Sequence, residues 1–423
     1  MGVEFDALRD PEPGLLIDYG EETAGLDNRR KPETRNVEIT DVQTTIVDGN
    51  FDWTLVRVYT DAGVTGTGEA YWGTGVPAII EAMKPYLLGE NPLDIDRLYT
   101  HLVQRTSGEG SIAGQVVTAV SGVEIALHDL AGKLLDVPAY QLLGGKYRDE
   151  VRVYCDTHAG AHGAESDTTE HSEVYEPDAY AAATEAVLDE GFDALKFDLD
   201  VPSGLELDRM NRYLSDRELQ HKVDIVEAAT AAAGNRADVA FDCHWSWSAD
   251  SAVRLATAIE EYPVWWFEDP VPPENVDIHG TVTRSTKTTI CAGENVYRKA
   301  GTRRLVETQA VDVLQPDLPK VGGMRETRKI ADQAETYHIP LALHNVASPV
   351  GTMASAQAAT AIPNFLALEW HARAIDWWED LVEESVIVDG RIEIPEDPGL
   401  GVTLDLDAVA EHMAPGETLF DEE

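Results

Sequence analysis

Hydrophobic and polar positions change rhythm twice along this chain. Residues 1–36 are polar, acidic and rich in Gly and Pro with no sustained periodicity, so they read as an N-terminal extension without its own core. From Val37 the runs VEITDVQTTIV, WTLVRVYTDAG and VTGTGEAYW alternate with period two between Asp-Gly and Asp-Ala-Gly turn signals, which predicts a small antiparallel meander. Helical spacing follows over 77–88, 92–106 and the Ala-rich 112–136, ending before the loop LLGGK. Strands followed by helices predict an α+β unit over 37–150.

After GGKYRDE the pattern becomes a strict alternation. Short β-rich runs fall at 151–156, 193–198, 238–242, 264–268, 288–293, 311–315, 340–344 and 366–369, separated by helical stretches such as 249–261 and 324–337. A βα repeat of about eight strands predicts a parallel barrel over 151–383, with a doubly wound sheet as the competing closure. The charged stretch 199–222 is expected to be an extended loop over the barrel mouth. From residue 384 to 423, beginning SVIVDGRIEIPEDPGLGVTLD, short strands and turns return, too few for a separate core. This tail is expected to pack on the N-terminal unit.

Composition narrows the partners. At 423 residues and 43% apolar the chain can bury a large core, and 77 acidic against 32 basic residues leave a net charge of −45. Such a charge disfavours nucleic acid and anionic membranes as partners. The acid is spread along the whole chain, which points to a surface adapted to concentrated salt and a halophilic source. Cys155, Cys243 and Cys291 are odd in number and far apart, indicating neither a disulfide framework nor a thiolate zinc site. With Glu4, Asp6 and Asp10 where a signal peptide needs positive charge, and no apolar run of membrane-spanning length, a cytoplasmic protein is expected.

Barrel active sites collect at the C-terminal strand ends, so polar residues that terminate apolar runs are the candidates. VAFD ends in Asp242, VWWFE in Glu268 and TICAGE in Glu294, each 26 residues from the next, one βα unit apart. Singly these acids read as helix caps; together in register they would repel unless a cation neutralised them, and an all-oxygen set suits Mg²⁺. The series continues with Asp317 in VDVLQPD, His344 in IPLALH and Glu369 in FLALE. Asp317 beside His344 can orient the imidazole and raise its basicity. DALKFD places Lys196 and Asp198 toward the mouth, where the lysine can grip a carboxylate or move a proton; the alternative is a surface lysine. His158, after VYCDT, is a further candidate to face the mouth.

These residues resemble a known family. AFDCH, WWFEDPVPPEN, TICAGEN, VLQPDLPKVGG and LALHN, in this order over residues 37–415, are similar to the mandelate racemase-like branch of the enolase superfamily, nearest its acid-sugar dehydratases. The resemblance implies a modified TIM barrel of (β/α)7β type, with an α+β capping domain completed by the C-terminal segment. It implies one Mg²⁺ per subunit on Asp242, Glu268 and Glu294, a dyad of Asp317 with His344, and a homo-oligomer. Lys196 matches the first lysine of the second-strand motif, but Asp198 stands where racemases carry a second. His244, two residues after Asp242, matches an Asp-x-His arrangement of dehydratases.

Abstraction of an α-proton and expulsion of a β-hydroxyl need a base and an acid, roles that His244 and His344 would share in an order the sequence leaves open. Glu369 would hydrogen-bond a substrate carboxylate, with Asp198, Trp72 and His158 contacting substrate; Trp72 reads equally as a core residue of the cap. The implied reaction is that of a hydro-lyase, converting D-gluconate, D-xylonate or D-galactonate to its 2-keto-3-deoxy acid. The alternatives are an epimerase or racemase on the same fold and a non-catalytic binding protein.

Overall fold

The computed structural model describes residues 37–159, 175–205 and 211–421; the expected extension over 1–36 lies outside them. From Glu38 onward the chain forms one unit. Strands β1 (Ile39–Asp48), β2 (Asp52–Thr60) and β3 (Gly66–Ala70) make an antiparallel sheet in that order. One face is covered by the helix Gln115–Leu135, flanked by Val76–Met83 and Ile95–Arg105. Val56, Val58 and Ala70 of the sheet pack there with Val120, Val123, Ala126 and Leu130. Gly68 lets the helix come close, because a Cβ there would sit 2.5 Å from Ala126 N.

Eight parallel strands follow: β4 (Glu150–Thr157), β5 (Ala194–Asp198), β6 (Asp238–Asp242), β7 (Val264–Glu268), β8 (Ile290–Ala292), β9 (Val313–Leu314), β10 (Leu341–Leu343) and β11 (Phe365–Trp370). Each pairs with the next, and β11 pairs back onto β4, so the sheet closes into a barrel. Helices connect successive strands, whereas a short 3₁₀ turn, Glu379–Leu381, follows β11. That is the expected (β/α)7β arrangement. The barrel interior is filled unevenly: Tyr154 and Trp266 occupy it, and Ala194, Ala240, Ala342 and Ala367 on other strands leave them room.

Two details differ from expectation. The stretch 199–222 is not loop throughout, because a helix starts at Asp216 and runs to Ala233. Ser215 and Glu218 form a reciprocal capping box that satisfies its first N–H groups and fixes this start. The tail does more than cover the N-terminal sheet. Its strand β12 (Arg391–Glu393) pairs antiparallel with β4, and single bridges join Val47 to Met413 and Pro138 to Gly399. Among the described residues no helix is long and apolar enough to cross a membrane.

Two buried carboxylates join the cap to the barrel. Glu124 accepts from the N–H groups of Met324 (2.7 Å) and Arg325 (2.9 Å), at the start of the helix Gly323–Glu335. Glu69 accepts from Ser348 N (3.0 Å), Ser348 Oγ (2.5 Å) and Gly351 N (3.0 Å), at the start of Pro349–Thr360. Both satisfy donors that a helix N-terminus leaves open.

Candidate active site

Register brings the strand-end residues to one level. Asp198 on β5 lies opposite Asp242 on β6, which lies opposite Glu268 on β7, while Asp156 on β4 faces Lys196 on β5. Glu294 is not a strand end as expected: β8 stops at Ala292 and the carboxylate is carried two residues further, on a loop. Asp317 and His344 likewise follow short strands, joined by a parallel bridge of their own. One carboxylate oxygen from each of Asp242, Glu268 and Glu294 falls within 4.8 Å of the others, and all three residues are buried.

Such a cluster cannot stay fully ionised without a cation. Burial and the Asp242 charge push the Glu268 carboxyl well above its ordinary range. Asp242 moves the other way: burial alone would raise it, but His244 and Lys196 beside it, with the His244 N–H at 3.0 Å, hold it below its ordinary value. Buried hard-oxygen donors at this separation fit a Mg²⁺-type ion.

Lys196 is central rather than superficial. Its ammonium is buried within 2.7 Å of Glu369 Oε1, 2.8 Å of Glu268 Oε1, 3.2 Å of Asp242 Oδ2 and 3.4 Å of Asp156 Oδ2. Burial opposes its charge, yet these carboxylates outweigh burial and keep it protonated. Glu369 is raised by burial, opposed by Lys196 and His344 and reinforced by Asp156. Its Oε2 accepts from Tyr154 OH (3.1 Å) and Asn345 N (3.1 Å).

The two histidines border different corners of the cluster. His344 donates Nδ1–H to Asp317 at 2.7 Å and brings Nε2 within 3.1 Å of Glu294. Burial works against its charge, but Glu294, Glu369 and Asp317 push the imidazole up to about 9. His244 has Nε2 3.7 Å from Asp242 and Nδ1 3.2 Å from Asp200. Asp242 above all pushes it up to about 12. His244 and Trp245 both take positive φ (38° and 60°), so the chain turns sharply where β6 ends. Cys243, between Asp242 and His244, is buried in the core.

The substrate-side candidates fall on one rim. His158 Nδ1 lies 3.5 Å from Asp198 Oδ2, and Asp198 Oδ1 lies 3.9 Å from His244 Nδ1. Trp72 is 44% exposed and stacks on Phe51 at 5.6 Å, so it is not a core residue of the cap. Tyr71 beside it approaches the His344 ring at 6.2 Å and carries Lys320 over its face at 4.3 Å.

Several site residues were not singled out from the sequence. Tyr154 and Asp156 alternate with His158 along β4, and His371 follows Glu369 by two, so the period-two rule marks them all as facing one way. Gln315, two before Asp317, donates to Glu268 Oε2 and Tyr154 OH, both at 2.9 Å. Asn295 donates to Glu294 Oε1 at 3.0 Å and accepts from Lys320 at 2.6 Å.

Comparison with known proteins agrees with this geometry. Residues 178–408 match the family described as Enolase C-terminal domain-like, and residues 34–144 match the Mandelate racemase / muconate lactonizing enzyme, N-terminal domain. A D-xylonate dehydratase of Haloferax volcanii is 64% identical, covering 100% of both chains. A D-gluconate dehydratase of Thermoproteus tenax is 30% identical over 87% of this chain and 71% of its own. The crystal structure of a mandelate racemase/muconate lactonizing enzyme-like protein from Rubrobacter xylanophilus superposes with a TM-score of 0.87 at 42% identity, over 91% of this chain and 100% of that one. The chain belongs to the mandelate racemase/muconate lactonizing enzyme branch of the enolase superfamily.

Proposed function

We propose that this protein is a Mg²⁺-dependent hydro-lyase that dehydrates an aldonic acid to its 2-keto-3-deoxy acid, with D-xylonate first among D-xylonate, D-gluconate and D-galactonate. The observation that carries the reading is a pair of histidines at two corners of one carboxylate cluster, His344 beside Glu294 and His244 beside Asp242. Elimination needs one group to take a proton and another to give one; a racemase needs two bases facing one carbon. Asp198 stands where a second lysine base would be, which weighs against racemisation. The relative from Haloferax volcanii, named a D-xylonate dehydratase, supports trying D-xylonate first.

Asp242, Glu268 and Glu294 would hold the ion, one per subunit. Bound there, Mg²⁺ would neutralise negative charge developing on the substrate carboxylate as the C2 proton leaves. Lys196 would pair with the same carboxylate, held in place by Glu369 at 2.7 Å, and Glu369 would hydrogen-bond that carboxylate only when protonated or through a shared donor. His344 Nε2 takes the C2 proton once it is unprotonated, a form that an ion on Glu294 would favour by offsetting one of the charges that raise the ring, while Asp317 accepts Nδ1–H and keeps Nε2 turned to the site. His244 gives a proton to the C3 hydroxyl, which departs as water with its C–O electron pair. The resulting enol tautomerises to the keto acid.

The test is keto-acid formation from a panel of aldonic acids by wild type, His344→Asn and His244→Asn. Wild type is expected to form product from at least one acid and each variant to lose about 10²- to 10⁴-fold, the usual size of a general acid or base contribution. In D₂O, His244→Asn is expected to keep exchanging the C2 proton and His344→Asn to stop. Full turnover by His344→Asn would defeat the assignment.

A further inference from the structure

The rim of the site away from Glu294 holds a group that the elimination does not use. Asp156, His158 and His371 each offer a polar atom within 4.8 Å of the others, where β4 and β11 close the barrel. Asp156 is 6% exposed, and its Oδ1 finds no donor among the described residues. His371 Nε2 lies 4.0 Å from Asp156 Oδ2, and its ring meets that of His158 at 5.6 Å. The 4.0 Å separation exceeds a direct hydrogen bond, so a hydroxyl seated against both groups could bond each of them, while the two rings are in edge contact.

The proton on His371 is placed by the cap. Asn50, at the β1–β2 turn, brings its Nδ2 within 3.0 Å of the His371 carbonyl oxygen and 2.8 Å of His371 Nδ1. The carbonyl can only accept, so the amide nitrogen must be the atom facing it. That nitrogen then donates to Nδ1 as well, and the neutral ring carries its hydrogen on Nε2. Burial, with His158 adding to it, keeps the ring neutral by holding its pKa near 3. An imidazole in this tautomer has no lone pair at Nε2 for a metal ion. Nε2–H is a donor, and Asp156 offers an acceptor oxygen without a partner among the described residues.

We propose that His371 and Asp156 together receive a hydroxyl of the substrate tail beyond C3, His371 donating and Asp156 accepting, with Asn50 as the positioning residue that fixes the tautomer. The inference rests on the aldonic-acid reading above. The neighbouring rings support it: Phe51, next to Asn50, lies 5.4 Å from the His371 ring and 5.6 Å from Trp72. Trp72 meets Tyr71 at 5.9 Å and Tyr71 meets His344 at 6.2 Å, so cap side chains line one continuous edge from the proposed base to the proposed hydroxyl site.

The test compares kcat/KM on the acid that wild type turns over with its 4-deoxy and 5-deoxy analogues. Wild type is expected to discriminate against one analogue by about 10- to 100-fold, the size of a buried hydrogen bond left unmade. His371→Leu is expected to lose that factor on the parent acid and not on that analogue, chiefly through KM. His371→Gln, whose amide nitrogen reaches the Nε2 position, is expected to recover part of it. Asn50→Ala, which removes the donor that holds Nδ1 as the acceptor and so frees the other tautomer, is expected to lose part of that factor on the parent acid and not on that analogue. Equal losses on parent and analogues would assign His371 a structural role and overturn the proposal. So would a second metal equivalent per chain that disappears in His371→Leu. Undiminished discrimination by His371→Leu would overturn this inference alone, whereas no keto acid from wild type on any acid would remove the reading beneath it.

Discussion

Glu69 offers a quantitative test of how the cap is fastened to the barrel. Its carboxyl is fully buried, and burial pushes it from an ordinary 4.5 to about 7, against the opposing hydrogen bonds from Ser348 and Gly351. The folded state therefore binds the proton more tightly than the unfolded chain. The associated stability is present in full below about pH 4.5, is lost as pH rises to and through about 7, and is constant beyond. A shift from 4.5 to about 7 corresponds to about 3 kcal/mol, at 1.36 kcal/mol for each factor of ten. The assay is urea denaturation of wild type and Glu69→Gln between pH 4 and 8, in parallel at about 2 M salt, where surface charges are screened. The wild-type stability, taken relative to the always neutral variant, should fall by about 3 kcal/mol across that interval. Parallel curves would show that Glu69 is ionised throughout and that the docking contact is an ordinary helix cap.

Three further outcomes follow from the geometry. Gly323→Ala should lower the melting temperature by several degrees, because Gly323 has φ +82° and a Cβ there would sit 2.1 Å from Glu124 Oε2, a buried oxygen already bonded to Met324 N. Asp242→Asn and Glu268→Gln should each abolish tight Mg²⁺ binding by calorimetry while His371→Leu leaves it intact; retained binding in either acid variant would place the ion elsewhere. Dialysis from about 2 M to about 0.1 M salt should destabilise the protein, since the screening length grows from under 3 Å to about 10 Å around a net charge of −45; unchanged melting would contradict a salt-adapted surface.

How far the sequence could be read depended on where each side chain sits. Asp242 and Glu268 end full apolar strands, so pattern alone located them and their register. Glu294, Asp317 and His344 were found by the same rule, although their strands stop short and loops carry them, because the βα repeat spaces them regularly whatever the strand length. Asp156 and His371 do not end apolar runs, and their signal is the alternation along β4 and β11 and just beyond, where every second side chain faces inward. The helix start at Asp216 was signalled by Ser215 and Glu218, but a charged segment hid its apolar stripe. Glu69 and Glu124 could not be read at all. Their partners lie 279 and 200 residues away, and only the folded chain brings the helix N-termini to them.

Proton NMR of wild type with D-xylonate and Mg²⁺ in D₂O tests the central claim most directly. The account predicts a 2-keto-3-deoxy acid that carries one deuteron at C3, since C3 loses its hydroxyl and takes a solvent proton as the enol tautomerises. Recovered acid with deuterium at C2 and no keto acid, from D-xylonate or any acid of the panel, would contradict it and make the protein an epimerase or racemase.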